Sequence, residues 1–243
     1  MIRKAVFVIL VALVAGISLA AIKYNPSDTE QWEPVPRVIQ ALPNTTPSDA
    51  IVLFDGSSLD AWTGRNDAAP EWTIEDGALV VNPGTGDLLS RAEFCDIQLH
   101  LEWMVPTPDP DTSGQNRSNS GVFLQDRYEV QVLDSYENET YVNGQAGAIY
   151  KQTPPLVNAM RPPSQWQSYD IIFQAPRFHG ESLETPGHIT VLHNGVLIQN
   201  HTELLGKTVF IGQPSYEAHG CAPIRLQDHR NRVFYRNIWV REL

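Results

Sequence analysis

The run Arg225-Leu226-Gln227-Asp228-His229 carries groups able to move a proton and orient a polar ligand. Ile224 and Leu226 alternate with Arg225, Gln227 and His229, the two-residue period of a strand whose apolar side turns inward. An imidazole held on a rigid strand beside an amide suits proton transfer near neutral pH. An exposed strand with a wet face is the plain alternative. Two more segments repeat the pattern. In Tyr128-Glu129-Val130-Gln131-Val132-Leu133-Asp134, Val130 and Val132 share one face while Glu129 and Gln131 share the other. In Gln98-Leu99-His100-Leu101-Glu102-Trp103, the apolar side chains alternate with His100 and Glu102. If the three strands lie in one antiparallel sheet, Glu102, Glu129, Gln131, Gln227 and His229 line one concave surface fit for general acid–base work.

Short strands joined by turns must position these groups. Eighteen prolines and sixteen glycines are spread along the 243 residues, and no long helical period follows the first 21. Strands are expected near 50–54, 72–74, 78–81, 88–91, 96–105, 120–125 and 128–134. Later ones fall near 147–151, 168–174, 188–193, 196–200, 223–228 and 232–241. Asp76-Gly77 and Asn194-Gly195 mark tight hairpins, because those residues accept the positive φ that such turns require. The connections 105–119, 135–146 and 152–166 are long for a β domain, a mark of functional or disordered loops. The middle one leads into Tyr150 and Lys151.

Residues 1–21 read as an export signal. Arg3 and Lys4 precede an apolar run from Ala5 to Leu19, and Ser18-Leu19-Ala20 supplies small residues for cleavage. The product is expected in the periplasm or secreted, or membrane-anchored if the leader stays on. Residues 22–49 are proline-rich and read as a linker or strap, and residues 50–243 as one all-β domain. An apolar content of 42% is enough for a core. The net charge of −11 disfavours nucleic acid and anionic membranes as partners, since phosphate binding needs clustered cations. Cys95 and Cys221 can pair in an exported chain, but two cysteines are no framework and match no zinc spacing.

Several of these motifs occur together and in order: Leu53-Phe54-Asp55-Gly56, Trp62, Trp72…Glu75-Asp76-Gly77, Asn119-Ser120-Gly121-Val122, Glu129 to Asp134, Gly147-Ala148-Ile149-Tyr150, Leu226 to His229, and Phe234-Tyr235-Arg236-Asn237-Ile238. Over about residues 48–243 the chain resembles the 3-keto-disaccharide hydrolase domain family. The resemblance implies a concanavalin-like jelly roll of two curved antiparallel sheets and cleavage of glycosides already oxidised to a ketone at C3. Such a ketone acidifies the hydrogen on C2, so a base can remove it and expel the group at C1, and water then adds back. For that chemistry His229 or Glu129 is expected to remove the C2 proton, and the other, or Glu102, to protonate the leaving oxygen. Gln131, Lys151 and Gln227 become donors to the ketone oxygen, Asn119 and Tyr150 sugar contacts, and Trp166 a stacking platform. Gln167 departs from the asparagine more often found at its position in the family.

Trp72, Trp103 and Trp239 read as core, Arg236 as a paired structural arginine, and Asp134 and Asp228 as acceptors of backbone hydrogen bonds. The expected partners are a carbohydrate and an upstream sugar 3-oxidoreductase; no specific protein partner is evident. No cofactor is called for, although a divalent cation such as calcium on Glu129, Glu102 or His229 stays open. Two other functions also stay open. A conventional glycosidase needs two carboxylates about 5–5.5 or 6.5–9.5 Å apart, which Glu102 and Glu129 could supply. A carbohydrate-binding module would need no poised base.

Overall fold

A computed structural model describes residues 24–43 and 45–243. The expected leader, residues 1–21, lies outside the described residues. The chain divides into a unit ending at Val38 and a second unit, Ile39–Leu243. Residues 24–38 are largely extended, with one 3-10 turn over Pro26–Thr29. Among the described residues no helix is long and apolar enough to cross a membrane.

Among the described residues the second unit is built on fifteen strands. They are β1 (Ile51–Phe54), β2 (Trp62–Thr63), β3 (Thr73–Glu75), β4 (Ala78–Val80), β5 (Leu88–Phe94), β6 (Ile97–Met104), β7 (Ser120–Leu124) and β8 (Tyr128–Val132). After these come β9 (Gln167–Gln174), β10 (Arg177–His179), β11 (Ser182–Thr185), β12 (His188–His193), β13 (Val196–Glu203), β14 (Ala222–Leu226) and β15 (Phe234–Glu242). Eight form one antiparallel sheet in the order β13-β12-β9-β6-β15-β4-β3, with β1 also paired to β15. Five form a second sheet, β2-β5-β14-β7-β8, and β10-β11 is a separate ribbon.

Alternation explains how the two large sheets form a jelly-roll sandwich. On β6, Leu99, Leu101 and Trp103 are fully buried while Gln98, His100 and Glu102 are only half-buried. From the five-stranded sheet, Val122, Leu124, Val130, Val132, Ile224 and Leu226 meet them in one core. Trp72 and Trp239 are buried as expected. Two hydroxyls tie the layers together. Tyr169 donates to the carbonyl of Gln131 at 2.8 Å, and Ser120 and Tyr235 share a bond of 2.7 Å. The Asp76-Gly77 and Asn194-Gly195 turns adopt the left-handed pair of φ angles their hairpins need.

Three expectations change. Residues 147–151 form no strand, and Ile149 makes only isolated bridges to Val130 and Thr153. Gly147 and Lys151 both have positive φ, which breaks an extended run at each end. The expected strand 223–228 stops at Leu226. Asp228 ends it by accepting the backbone N–H groups of Gly84, Gly86 and Arg230, so His229 stands on a loop and not on a rigid strand. Strands β10 and β11 went unseen because neither has a buried face, so no alternation marks them.

Cys95 and Cys221 form a disulfide beside the paired residues Phe94 and Ala222 of β5 and β14. It closes a loop between residues 126 apart, which restricts the unfolded chain more than the folded one. Replacing both cysteines with serine should cost about 2–4 kcal/mol, a fall of roughly 5–15 °C in melting temperature. Scanning calorimetry of the double variant, beside wild type with and without reductant, checks this. An unchanged transition in all three would mean that the pair is not formed.

Candidate active site

The outer face of the five-stranded sheet carries the site. Register lays its side chains out in two rows across β14, β7 and β8. Arg225 pairs with Phe123, and Phe123 with Glu129. In the next row Gln227 donates its N–H to Gly121, which pairs with Gln131. Because facing side chains on neighbouring strands stand about 5 Å apart, a cation, an aromatic ring, a carboxyl and two amides share one small floor. The rows border a cleft of about 310 Å³, also lined by Asn119, Tyr150, Thr208, Phe210 and His229.

Gly121 makes room for the carboxyl. A Cβ at that position would lie 2.5 Å from Glu129 Oε1 and 2.9 Å from the Phe123 ring. The Glu129 side chain leans over this bare backbone and is 4% exposed. Burial pushes its carboxyl up to about 8, against the pull of Arg225 and with a further push from Asp87. The Gln131 amide sits 3.0 Å from Glu129 Oε1, and its NH₂ can serve both that oxygen and the Ser120 carbonyl at 3.2 Å. Turned over, the same amide donates to Gln115 Oε1 at 3.1 Å and offers Glu129 an oxygen, which suits a protonated carboxyl. The amide thus has an orientation for each charge state of its neighbour.

Arg225 is held more firmly than any other cleft residue. Its Nη1 donates to Asp87 at 3.0 Å, its Nε to Asp126, and its guanidinium lies 3.4 Å from the Phe123 ring centroid. Among the described residues its Nη2 takes no partner, leaving one N–H edge for a ligand. The side-chain oxygen of Gln227 is buried without a partner. Two loops close the cleft. One brings Tyr150, whose hydroxyl meets Tyr141 at 2.7 Å; burial and that contact push its pKa up and keep the hydroxyl protonated. The other brings Thr208, whose hydroxyl accepts the Glu129 N–H at 3.0 Å.

Six of the nine expected site residues therefore meet: Glu129, Gln131, Asn119, Tyr150, Gln227 and His229. His229 is exposed at the mouth, and Asn119 spends its amide on the Gln115 carbonyl at 2.9 Å. Lys151 sits at the edge, its ammonium donating to the Phe210 carbonyl at 2.6 Å. Glu102 and Trp166 are elsewhere. Glu102 lies on the outer face of the eight-stranded sheet, paired with Arg236 at 2.7 Å and Asn237 at 3.1 Å. Trp166 packs against the same Arg236 guanidinium, 4.0 Å from ring to cation. Sheets in a sandwich are about 10 Å apart, so Glu102 and Glu129 are separated by the whole core. The period of two was read correctly, but it does not tell which sheet a strand joins.

Other readings gain a physical account. Arg236 is the paired arginine expected, and Asp134 accepts Arg117 Nε at 2.7 Å and the Tyr136 N–H at 3.1 Å. Gln167 is buried, accepting Arg161 N–H and Asn194 Nδ2, so it is a structural amide out of reach of a ligand. Among the described residues no three His, Cys, Asp or Glu side chains gather as a metal site, and Glu102 cannot join Glu129 and His229 around one cation. Sequence reasoning missed Phe123, Thr208 and Phe210 as lining groups. Arg225 was in phase with Gln227 all along.

Glu129 makes stability depend on pH. Below about 4.5 the carboxyl is protonated in both states; between there and about 8 only the unfolded chain gives up its proton. The fold thus loses stability as pH rises through that window, and the loss levels off above it. Glu129→Gln removes the titration, so its melting temperature relative to wild type should climb by several degrees between pH 4.5 and 8. A constant difference would mean that Glu129 is ionised throughout.

A comparison with curated proteins finds no match. Among solved structures, a candidate glycosyl hydrolase from Parabacteroides distasonis ATCC 8503 is similar at 49% identity and a TM-score of 0.85, over 90% of this chain and 97% of its own. A second candidate glycosyl hydrolase from that organism aligns over 80% of this chain and 94% of its own at 17% identity and a TM-score of 0.59, and shares the fold. The family model for the 3-keto-alpha-glucoside-1,2-lyase-like domain matches residues 49–241. The chain, a glycosyl-hydrolase-like jelly roll with one buried carboxyl on its cleft floor, belongs to the 3-keto-alpha-glucoside-1,2-lyase-like domain family.

Proposed function

We propose that the protein cleaves 3-keto-glucosides by elimination at C1–C2 followed by hydration, with Glu129 as the base. The observation that carries this reading is the single carboxyl on the floor of a polar cleft, its proton held up to about pH 8. A base with that affinity for protons takes one from carbon more readily than an ordinary carboxylate does. Glu129 removes the C2 hydrogen, and the C–H electrons flow toward the C3 ketone, whose oxygen becomes an enolate. The free Nη2 edge of Arg225 donates to that oxygen, a contribution of about 10²–10³ in rate. The enolate then expels the C1 substituent, with His229 at the mouth supplying its proton. Water adds to C1 of the enone, giving up a proton to His229, and Glu129 returns its proton to C2. The Gln227 oxygen and Tyr150 hydroxyl are placed to meet sugar hydroxyls.

A conventional glycosidase fits less well, because the second carboxylate it needs is absent from the cleft lining. The substrate requires prior oxidation at C3, so a sugar oxidoreductase acts upstream. The leader-like residues 1–21 support action outside the cytoplasm.

The test compares p-nitrophenyl α-glucoside with its 3-keto derivative. Nitrophenol release is expected from the keto compound alone, with a slower rate for deuterium at C2. Equal release from the plain glucoside would overturn the reading. Glu129→Gln should lower kcat by about 10²–10⁴ while the fold persists. Because the base works ionised and p-nitrophenolate leaves without needing a proton, kcat/KM for the keto nitrophenyl compound should rise with pH and flatten above about 8; a profile falling through that range would make Glu129 the acid instead. Gly121→Ala should cut kcat by roughly 10²-fold or more, since its methyl group must displace the carboxyl.

A further inference from the structure

On the reading that the cleft takes a 3-keto-glucoside, we propose that its mouth carries an apolar subsite that selects a hydrophobic leaving group over a second sugar. Phe210 lines the cleft yet is 69% exposed, and its neighbour Ile211 is 84% exposed. Tyr141 and its chain neighbour Val142 are 40% and 61% exposed. Lys151 joins the two pairs: its ammonium lies 4.1 Å from the Phe210 ring centroid and 5.7 Å from that of Tyr141. Four exposed apolar side chains beside a polar cleft call for an explanation, since large exposed apolar patches mark binding surfaces.

The patch is built, not left over. The Tyr141 ring lies directly on Gly144, where a Cβ would come 2.1 Å from a ring carbon. Its hydroxyl is fixed by Tyr150, a residue of the cleft itself. Lys151 holds the Phe210 carbonyl, and its own backbone takes a left-handed φ of 57° to do so, a conformation a non-glycine residue adopts at some cost. Each aromatic is therefore held in an exposed position that its own burial does not reward.

The chemistry of the patch names its occupant. A second sugar ring brings hydroxyls that lose water on binding and need partners. Val142 and Ile211 are branched aliphatics with none to offer, and one N–H of the Lys151 ammonium is already taken by the Phe210 carbonyl. An aryl or alkyl aglycone needs no such partners, and each methylene it buries is worth a factor of about four in affinity. The catalytic floor reads the oxidised sugar, and the mouth reads an apolar aglycone.

Calorimetry on the full chain carrying Glu129→Gln tests this with three 3-keto α-glucosides: methyl, 2-naphthyl, and a disaccharide of two glucose units. The naphthyl compound should bind at least tenfold tighter than the methyl, and the disaccharide within about threefold of the methyl. Adding Ile211→Ser, a change at an exposed position, should lower the naphthyl-to-methyl ratio about threefold. Equal naphthyl and methyl affinities would overturn the subsite, and a disaccharide that binds tightest would make it a sugar site. Should no keto compound bind, the reading of the cleft fails by itself. The subsite is then judged with 2-naphthol alone, whose binding should weaken with Ile211→Ser and whose failure to bind would sink the proposal.

Discussion

The site depends on keeping one carboxyl out of water on the outer face of a sheet, where water is normally plentiful. Burying an ionised group is costly unless it is paired, and Glu129 is not paired with a cation. The chain meets the cost by letting the group hold its proton. Arg225, which could have drawn the carboxyl back to ordinary acidity, is itself held by Asp87 and Asp126. Its charge is largely answered before it reaches Glu129, and Asp87 pushes in the opposite direction. The guanidinium still has an N–H edge to offer. The two aspartates thus separate two properties that normally travel together, hydrogen-bond donation and a full positive field.

Such an arrangement survives only on a stiff floor. The strands β7, β8 and β14 that carry the rows are backed by close-packed side chains, and Tyr128 meets Phe173 of the opposite sheet at 5.8 Å. The Tyr169 and Ser120–Tyr235 bonds reach from that core to the backbone behind Gln131 and Gln227. The disulfide fixes one end of β14 against β5, and Asp228 clamps the chain beyond its other end to the 82–87 turn. A strand pinned at both ends keeps Arg225 in register with Phe123 and Glu129. The lining loops contribute what sheets cannot, groups that approach Glu129 from above.

Most strands and the floor of the site were legible in the sequence because both follow from local periods, whereas the jelly-roll arrangement came from the family resemblance. Alternation put Glu129 and Gln131 on one face, Arg225 and Gln227 on another, and the Asp-Gly and Asn-Gly pairs gave the hairpins. Sheet membership is a long-range property, and here it misled: Glu102 and Glu129 have the same local pattern but lie on opposite sides of the core. The Asp228 clamp was equally invisible, because its partners, Gly84 and Gly86, are more than 140 residues away. Thr208 and Phe210 come from a stretch with no period at all. Trp166 attracted attention as an aromatic in a proline-rich loop, yet Arg236 had already claimed its ring.

The placement of Glu102 bears on the reaction class. A glycosidase acting on an unmodified sugar develops positive charge at C1 and needs an anion, or an anion-activated water, beside it. This cleft has one carboxyl whose native state favours neutrality below about pH 8, with the open N–H edge of Arg225 on the same floor. Donors of that kind stabilise charge of the opposite sign, the negative charge that grows on a carbonyl oxygen when a neighbouring C–H bond gives up its proton. On the proposed function, that floor suits an enolate better than an oxocarbenium ion. An enolate requires that the substrate already carry a ketone next to the carbon that loses the proton.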